Sequence, residues 1–295
     1  MMNRAFSTVG LWVIVGLVIW VGGLFSVAEQ AAFGLLALLI GAAQFEFYQL
    51  AARIKGVRRP SHTGLIAGFV LLFCLFFLAG ERARANYLYV GGATLFGLHL
   101  LSLLRHPGEV PGLFRRFPTL YGFLYLPFML SSLVAIARME DGHLLSTRPV
   151  GLYYVLWVAV ATKFTDVGGL LIGVPFGRHK IAPSISPAKS WEGCLGGLIV
   201  SAAASAGFAW LCRGPLGVEF MVPWKGAVLS LPLALASIPS DLVESVFKRL
   251  AGAKDSGATI PGIGGALDLI DSLVLTSPLA LILLSYGLEW AKRAG

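Results

Sequence analysis

The stretch from Asp268 to Glu289 reads DLIDSLVLTSPLALILLSYGLE and sets two carboxylates, Asp268 and Asp271, at the start of a long apolar run. An α-helix needs about 20 mostly apolar residues to cross the hydrocarbon core of a bilayer. The run therefore predicts a transmembrane helix with acidic residues at one end. Acidic side chains beside a membrane span are costly unless something compensates their charge, which makes them candidates for a functional site.

Eight further apolar runs of similar length lie upstream, at 9–25, 31–50, 64–80, 87–104, 119–137, 150–165, 193–212 and 226–242. Of the 295 residues, 57% are apolar and only 13% are charged, and the mean hydropathy is +0.79. A soluble domain carries about 25% charged residues. The sequence predicts an all-α, polytopic integral membrane protein with about nine transmembrane helices. It excludes a water-soluble enzyme, and we expect no nucleic-acid partner despite the net charge of +8.

Three segments allow two interpretations each. Residues 150–172 form either one long helix or a helix with a broken end, and 226–242 is short and contains Pro232 and Pro239. Residues 1–28 resemble a cleaved signal peptide, but the apolar run is long for one, so we favour a span.

The chain divides by composition near residue 150. Residues 1–150 are N-terminal transmembrane helices with few polar groups inside the spans. Residues 151–295 form a C-terminal transmembrane catalytic region with cytoplasmic loops at 173–192 and 243–267. The loops after alternate spans carry thirteen Lys and Arg, against six in the opposite loops. The positive-inside rule places the first set and the N-terminus in the cytoplasm, although Lys292 and Arg293 then fall outside, which fits poorly.

The acidic residues of the C-terminal half predict a metal site. Asp241 and Glu244 share one helix face, and Asp268 and Asp271 are three residues apart and face the same way. An i,i+4 ion pair from Glu244 and helix N-capping by an aspartate are simpler interpretations. Mg²⁺ prefers oxygen ligands and substrate phosphates. We predict that Asp241, Asp268 and Asp271 hold Mg²⁺, and a second cation is left open.

Basic and glycine-rich segments flank these acids. Arg178, Lys180 and Lys189 lie in one loop with hydroxyls and rigid prolines, which suits a nucleoside triphosphate or a lipid phosphate, or simply contact with anionic lipid. The glycines of residues 262–265 would permit close approach of a phosphate, although such runs also occur in plain loops. Lys163 either extends toward the interface or pairs with Asp166.

Three ordered motifs within residues 160–275 resemble the signature of the phosphatidate cytidylyltransferases, or CDP-diacylglycerol synthases. They are Gly177-Arg-His-Lys180-x-x-Pro183-x-Ile-Ser186-Pro187-x-Lys189-Ser190-x-Glu192-Gly193; Asp241-Leu-x-Glu244-Ser245; and Ser245-x-x-Lys248-Arg249-x4-Lys254-Asp255 followed by Pro261-Gly-x-Gly-Gly and Leu-Asp268-x-x-Asp271. The family usually has His at Ile263, Arg at Leu269 and Gly at Ser240. These departures bear on substrate identity and catalytic strength.

The resemblance implies synthesis of CDP-diacylglycerol and pyrophosphate from CTP and phosphatidate, with the site facing the cytoplasm of a bacterial inner membrane. It implies catalytic roles for Asp241, Lys248, Asp268 and Asp271. The substrate-binding residues that it implies are Arg178, Lys180, Ser186, Lys189, Ser190, Glu192, Glu244, Ser245, Arg249, Lys254, Asp255, Gly264 and Gly265.

Two alternatives stay open from the sequence. One is a CTP-dependent transferase that acts on a different lipid phosphate, which the departures at Ile263 and Leu269 allow. The other is an ion-coupled membrane transporter, which would place charges near the middle of spans and repeat its halves. The expected partners are CTP, phosphatidate or a related lipid phosphate, and membrane lipids. A homodimer is compatible with the sequence.

Overall fold

The computed structural model describes residues 27–78, 87–139, 150–216, 222–259 and 264–294. The N-terminal part contains α1 (Ala28–Ala51), α2 (Thr63–Phe73), α3 (Tyr87–Ser102), α4 (Gly112–Arg116), α5 (Pro118–Phe123) and α6 (Met129–Ala137). One π-helical turn extends α2 (Cys74–Leu78) and another joins α5 to α6 (Leu124–Phe128). The C-terminal part contains α7 (Val150–Phe176), β1 (Lys180–Ala182), β2 (Ser186–Ser190), α8 (Trp191–Leu216), α9 (Pro223–Leu250), α10 (Ala266–Ile270) and α11 (Leu273–Ala294).

Within the described ranges, six helical segments are long and apolar enough to cross a membrane: Ala28–Ala51, Pro118–Ala137, Val150–Phe176, Trp191–Cys212, Pro223–Leu250 and Ala266–Gly287. Two shorter apolar helices cover Thr63–Leu78 and Tyr89–Ser102. Together they correspond to eight of the nine predicted spans. The predicted all-α, polytopic membrane class is therefore confirmed. The remaining predicted span, residues 9–25, lies outside the described residues, as does any cleavage site before residue 27.

Both irregular spans of the C-terminal half are continuous helices. Helix α7 has 27 residues and runs past residue 165 to Phe176, a length of about 40 Å at 1.5 Å per residue. Helix α9 has 28 residues and includes Pro232 and Pro239. Prolines are tolerated in membrane helices because neighbouring helices and polar side chains can satisfy the backbone groups that they free.

The two predicted loops are shorter than the sequence indicated. Residues 180–190 form an antiparallel hairpin in which Lys180 pairs with Ser190 and Ala182 with Ser186. The predicted loop 243–267 begins inside α9, because the charges of its last two turns do not end the helix. Lys248 forms an i,i+4 ion pair with Glu244, which is compatible with continued helix.

Helices α7 and α8 pack closely through glycines. A Cβ atom at Gly168 would lie 2.5 Å from the carbonyl oxygen of Gly196, and one at Gly197 would lie 2.8 Å from the carbonyl oxygen of Thr165. Small residues let helix backbones approach in this way within membranes. The hydroxyl of Ser201 donates a hydrogen bond of 2.7 Å to the carbonyl oxygen of Ala161 across the same contact.

An aromatic cluster fixes the rotation of α9 about its axis. The ring of Phe247 lies 5.1 Å from that of Phe47 on α1, 5.2 Å from that of Phe114 on α4 and 5.4 Å from that of Tyr125, measured between centroids. All four side chains are buried. Since Phe247 points into this cluster, the polar face of α9 with Asp241 points toward α7, α10 and the hairpin.

We predict that Gly168→Leu destabilises the protein by about 2 kcal/mol, because the new side chain has no room against α8. The matched control is Gly207→Leu on α8, where a Cβ atom would meet nothing within 4 Å. Thermal unfolding in detergent should lower Tm by several degrees for Gly168→Leu only. Equal Tm values for both variants would contradict the close α7–α8 contact.

Candidate active site

Three carboxylates from two separate segments converge at one point. Asp241 and Glu244 lie one turn apart on α9, and Asp271 lies between α10 and α11. One oxygen atom from each of these residues lies within 4.8 Å of the others. Glu244 and Asp271 are buried, with exposed fractions of 0% and 7%. We call these three residues the acidic triad.

A serine hydroxyl fastens the two segments that supply the acidic triad. Ser240 precedes Asp241 on α9, and its hydroxyl donates a hydrogen bond to the carbonyl oxygen of Asp271. The same hydroxyl accepts a hydrogen bond of 3.2 Å from the N–H of Leu275 at the start of α11. The backbone of α11 is therefore held against α9 directly beside the carboxylates.

Each member of the acidic triad faces a lysine from a different part of the chain. The Nζ atom of Lys189 on β2 lies 2.5 Å from Oδ2 of Asp241, and that of Lys163 on α7 lies 3.7 Å from Oδ1 of Asp271. Lys248, one turn beyond Glu244 on α9, forms an ion pair with Glu244. The triad is thus surrounded by positive charge from three elements.

Asp268 lies beside the acidic triad and is occupied by other contacts. Its Oδ1 atom accepts a hydrogen bond of 2.9 Å from Lys248, and its Oδ2 atom accepts bonds of 2.8 Å from the hydroxyl of Ser256 and from the N–H of Gly265. Asp268 is the third residue of α10, and its carboxylate accepts the N–H of Gly265, the N-cap residue of this helix. Lys248 connects it to Glu244, so the structure brings Asp268 to the site but not into the group of closely spaced carboxylates.

The excess of negative charge and one unpaired carboxylate oxygen of the cluster fit a divalent cation. Lys163 also lies 3.8 Å from Asp166, so among the described residues three lysines face five carboxylates, which leaves a formal charge of −2. Oε2 of Glu244 is paired with Lys248, whereas its buried Oε1 has no hydrogen-bond partner within the described part of the chain. Oxygen atoms that lack a donor are the ligands that hard cations take. The acidic triad is therefore a group that could bind a metal ion.

Comparison with known proteins identifies the family of the chain. Residues 2–287 match the family model described as the cytidylyltransferase family. The chain belongs to the cytidylyltransferase family.

Curated relatives of this cytidylyltransferase-family chain are named phosphatidate cytidylyltransferase. That of Haemophilus influenzae is 33% identical over 65% of this chain and 66% of its own length. That of Mycobacterium leprae is 35% identical over 57% of this chain and 49% of its own length. That of Staphylococcus saprophyticus is 38% identical over 56% of this chain and 61% of its own length. The chain thus spans about half to two thirds of the length of these relatives.

The other predicted residues lie on or beside the hairpin and near the end of α9. The carboxylate of Glu192 accepts hydrogen bonds from the N–H groups of Arg178 and His179, just before the hairpin. The hydroxyl of Ser190, the last residue of the hairpin, accepts a hydrogen bond of 3.2 Å from the N–H of Gly193 on α8. Both contacts fix the hairpin against the start of α8. The Nε–H group of Arg249 donates a hydrogen bond of 3.2 Å to the carbonyl oxygen of Ile185, which connects α9 to the hairpin. Of the remaining predicted residues, Ser245 is buried, Ser186 is half-buried, and Arg178, Lys180, Lys254 and Asp255 are exposed.

The two predicted glycines that are described make room for carboxylates. Gly264 has a φ of +126°, and a Cβ atom there would lie 2.8 Å from Oδ2 of Asp268. A Cβ atom at Gly265 would lie 2.3 Å from Oε2 of Glu46, a buried residue of α1. Sequence reasoning left Glu46 out of the site, although an acidic residue inside an apolar span is itself a signal of function.

We expect metal binding to depend on the acidic triad more than on Asp268. Glu244→Gln and Asp271→Asn should each weaken Mn²⁺ binding by about tenfold or more, because each removes a charged oxygen ligand. Asp268→Asn should weaken it less, because that carboxylate is already paired with Lys248. Electron paramagnetic resonance of Mn²⁺ measures the affinity, with Glu109→Gln as an exposed acidic control.

An Asp268→Asn variant that loses as much Mn²⁺ affinity as Asp271→Asn would instead favour Asp241, Asp268 and Asp271 as the metal ligands. That outcome would contradict the acidic triad.

Proposed function

We propose that this chain is a phosphatidate cytidylyltransferase, which makes CDP-diacylglycerol and pyrophosphate from CTP and phosphatidate with Mg²⁺. The observation that carries the proposal is the acidic triad with its lysines at the end of an apolar cavity. Such a site can bring a phosphate on a lipid to a phosphate in water. The names of the curated relatives support the choice of substrates.

The apolar cavity has the chemistry of an acyl-chain site. It has a volume of about 170 Å³ and lies between α1, α6, α7 and α10. Lys163 is the one charged residue among those that line it. Its Nζ atom donates a hydrogen bond of 2.7 Å to the hydroxyl of Ser272, the neighbour of Asp271. A lipid with its chain in the cavity would therefore place its phosphate beside Lys163 and the acidic triad.

The reaction joins two polyanions, so neutralisation and positioning carry most of the catalysis. A phosphatidate oxygen attacks the α-phosphorus of CTP, and the bond from that phosphorus to the bridging oxygen breaks and releases pyrophosphate. Asp241, Glu244 and Asp271 would hold Mg²⁺, which neutralises phosphate charge when it is bound.

The lysines of the cluster take the complementary role of binding the substrates' phosphates. Lys163 lines the cavity and would contact the lipid phosphate. Lys189 lies on the hairpin, where it pairs with Asp241, and Lys248 lies in the last turn of α9, where it pairs with Asp268. We assign these two to the phosphates of CTP. Asp268 accepts a hydrogen bond from the ammonium group of Lys248 and so sets the direction in which that group points. The exposed Arg178, Lys180 and Lys254 would guide the nucleotide to the site by long-range attraction.

We further propose that the site faces the cytoplasm from a bacterial inner membrane. The basic loops of the sequence support this orientation through the positive-inside rule. CTP is supplied from the cytoplasm and phosphatidate lies in the leaflet, so a site at this boundary is accessible to both. A homodimer remains a prediction.

The direct test uses the purified protein in detergent with Mg²⁺, phosphatidate and CTP labelled in the cytidine. We expect labelled lipid after extraction and an equal amount of pyrophosphate. Asp271→Asn should abolish the labelled product, while Glu109→Gln keeps it. If the label is incorporated only when a different lipid phosphate is supplied, that lipid is the substrate instead of phosphatidate. If no lipid phosphate gives labelled lipid, the proposed function is wrong.

We predict that Lys163→Met raises the KM for phosphatidate by about tenfold, because a charged hydrogen bond to the lipid phosphate is lost. The KM for CTP should change little. Steady-state kinetics in mixed micelles measures both constants. An unchanged KM for phosphatidate, or an equal rise for CTP, would contradict the assignment of Lys163 to the lipid.

A further inference from the structure

A buried carboxylate of the N-terminal half, that of Glu46, accepts hydrogen bonds from the segment that connects α9 to α10. Glu46 lies on α1 with an exposed fraction of 2%. Its Oε2 atom accepts a hydrogen bond of 2.9 Å from the N–H of Leu267 and one of 3.3 Å from the hydroxyl of Ser256, and its Oε1 atom accepts one from the hydroxyl of Thr259. All three donors belong to the segment between the end of α9 and the first turn of α10.

The contact of Glu46 with Leu267 fixes the start of α10. Leu267 directly precedes Asp268 and lies one turn before Asp271. An N–H group in the first helical turn has no partner within the helix, and a carboxylate satisfies it with the favourable sign of charge. A shift or rotation of this turn would redirect both aspartates at once.

The hydroxyl of Ser256 connects Glu46 to the rest of the site. It lies 2.8 Å from Oδ2 of Asp268 as well as 3.3 Å from Glu46, and Asp268 in turn binds Lys248. A hydroxyl has one proton to donate, so two carboxylates share one donor and both stay close to it. The chain of contacts runs without a gap from α1 to the lysine that pairs with Glu244.

The loop is shaped to admit this carboxylate. A Cβ atom at Gly257 would lie 2.5 Å from Oε1 of Glu46, and one at Gly265 would lie 2.3 Å from Oε2. Any other residue at either position would push Glu46 away. These glycines thus leave space for the carboxylate of Glu46, in addition to any space that they leave for a phosphate.

We infer that Glu46 is a positioning residue that sets the nucleotide-binding geometry of residues 251–259 and 264–265 and of the first turn of α10. The inference rests on the proposed function. The residues of this segment that Glu46 contacts, Ser256, Thr259 and Leu267, do not line the apolar cavity, whose lining residues from α10 are Leu269 and Ile270. Loss of Glu46 therefore affects CTP and spares phosphatidate.

Glu46→Ala should raise the KM for CTP by about tenfold, because the carboxylate that holds the loop is gone, and leave the KM for phosphatidate within twofold. Glu46→Gln should recover most of the affinity for CTP, because its amide oxygen still accepts from Leu267 and its NH₂ group can donate to Thr259. Hydrogen exchange of residues 264–271 should be at least about tenfold faster in Glu46→Ala and near the wild-type rate in Glu46→Gln.

The matched control is Gln44→Ala on the same helix. Gln44 is as buried as Glu46. Its amide group donates two hydrogen bonds of 2.9 Å, one to the hydroxyl of Tyr48 and one to the carbonyl oxygen of Gly64, and neither acceptor belongs to the loop. Gln44→Ala should lower Tm without changing the KM for CTP or the exchange of residues 264–271. If Glu46→Ala fails to fold, Thr259→Ala removes one contact at the surface and should move both quantities in the same direction by a smaller amount.

Wild-type exchange and wild-type KM for CTP in Glu46→Ala would overturn the inference, as would equal changes in Gln44→Ala. If Glu46→Ala does not fold, wild-type exchange and a wild-type KM for CTP in Thr259→Ala would overturn it. The exchange measurement needs no turnover, so it tests the grip of Glu46 on the loop even if the wild-type protein makes no labelled lipid. In that event the proposed function fails by itself.

Discussion

The structure depends on a cluster of buried charge in which five carboxylates surround three lysines where membrane helices meet. Charges are expensive to remove from water, and a buried ion pair repays that cost only when its geometry is good and its remaining polar atoms are satisfied. Here the ion pairs of Lys189 and Lys248 are close, but among the described residues the carboxylates outnumber the lysines and Oε1 of Glu244 has no hydrogen-bond donor. A divalent cation would satisfy both deficits, and a substrate phosphate would then bind to the cation and the lysines together.

The N-terminal half supports this cluster from two directions. Phe47 packs against Phe247 and sets the rotation of α9, so Asp241 and Glu244 point into the site. The adjacent residue on α1, Glu46, holds the first turn of α10. One short segment of α1 therefore fixes both segments that supply the acidic triad. The N-terminal helices are part of the active-site scaffold as well as membrane spans.

The length and composition of the apolar runs were enough to predict the class of fold, because the thickness of a bilayer imposes a minimum span length. The same rule did not predict that α9 continues beyond residue 242 to Leu250 or that residues 180–190 pair as a hairpin. Those outcomes depend on neighbouring elements that satisfy backbone groups, such as the bond from Lys189 to the carbonyl oxygen of Ile238, 3.2 Å long. Local patterns carry no information about such partners.

The candidate site was predictable in outline but not in its pairings. The spacing of the acids indicated Asp241 and Asp271, which lie together. It could not separate Glu244 from Asp268, because each is one turn from a neighbouring acid, and only tertiary packing shows that Lys248, Ser256 and Gly265 occupy Asp268. Glu46 lies about 200 residues away in sequence, so no spacing rule connects it to the loop. Leu269, where the family usually has arginine, lines the apolar cavity.

The most direct measurement is the anomalous scattering of Mn²⁺ in crystals of the protein grown with that ion. We expect a peak within coordination distance of Asp241, Glu244 and Asp271 together. A crystal in which the ion binds elsewhere, or in which these three carboxylates turn away from one another while Mn²⁺ is present at saturating concentration, would contradict it.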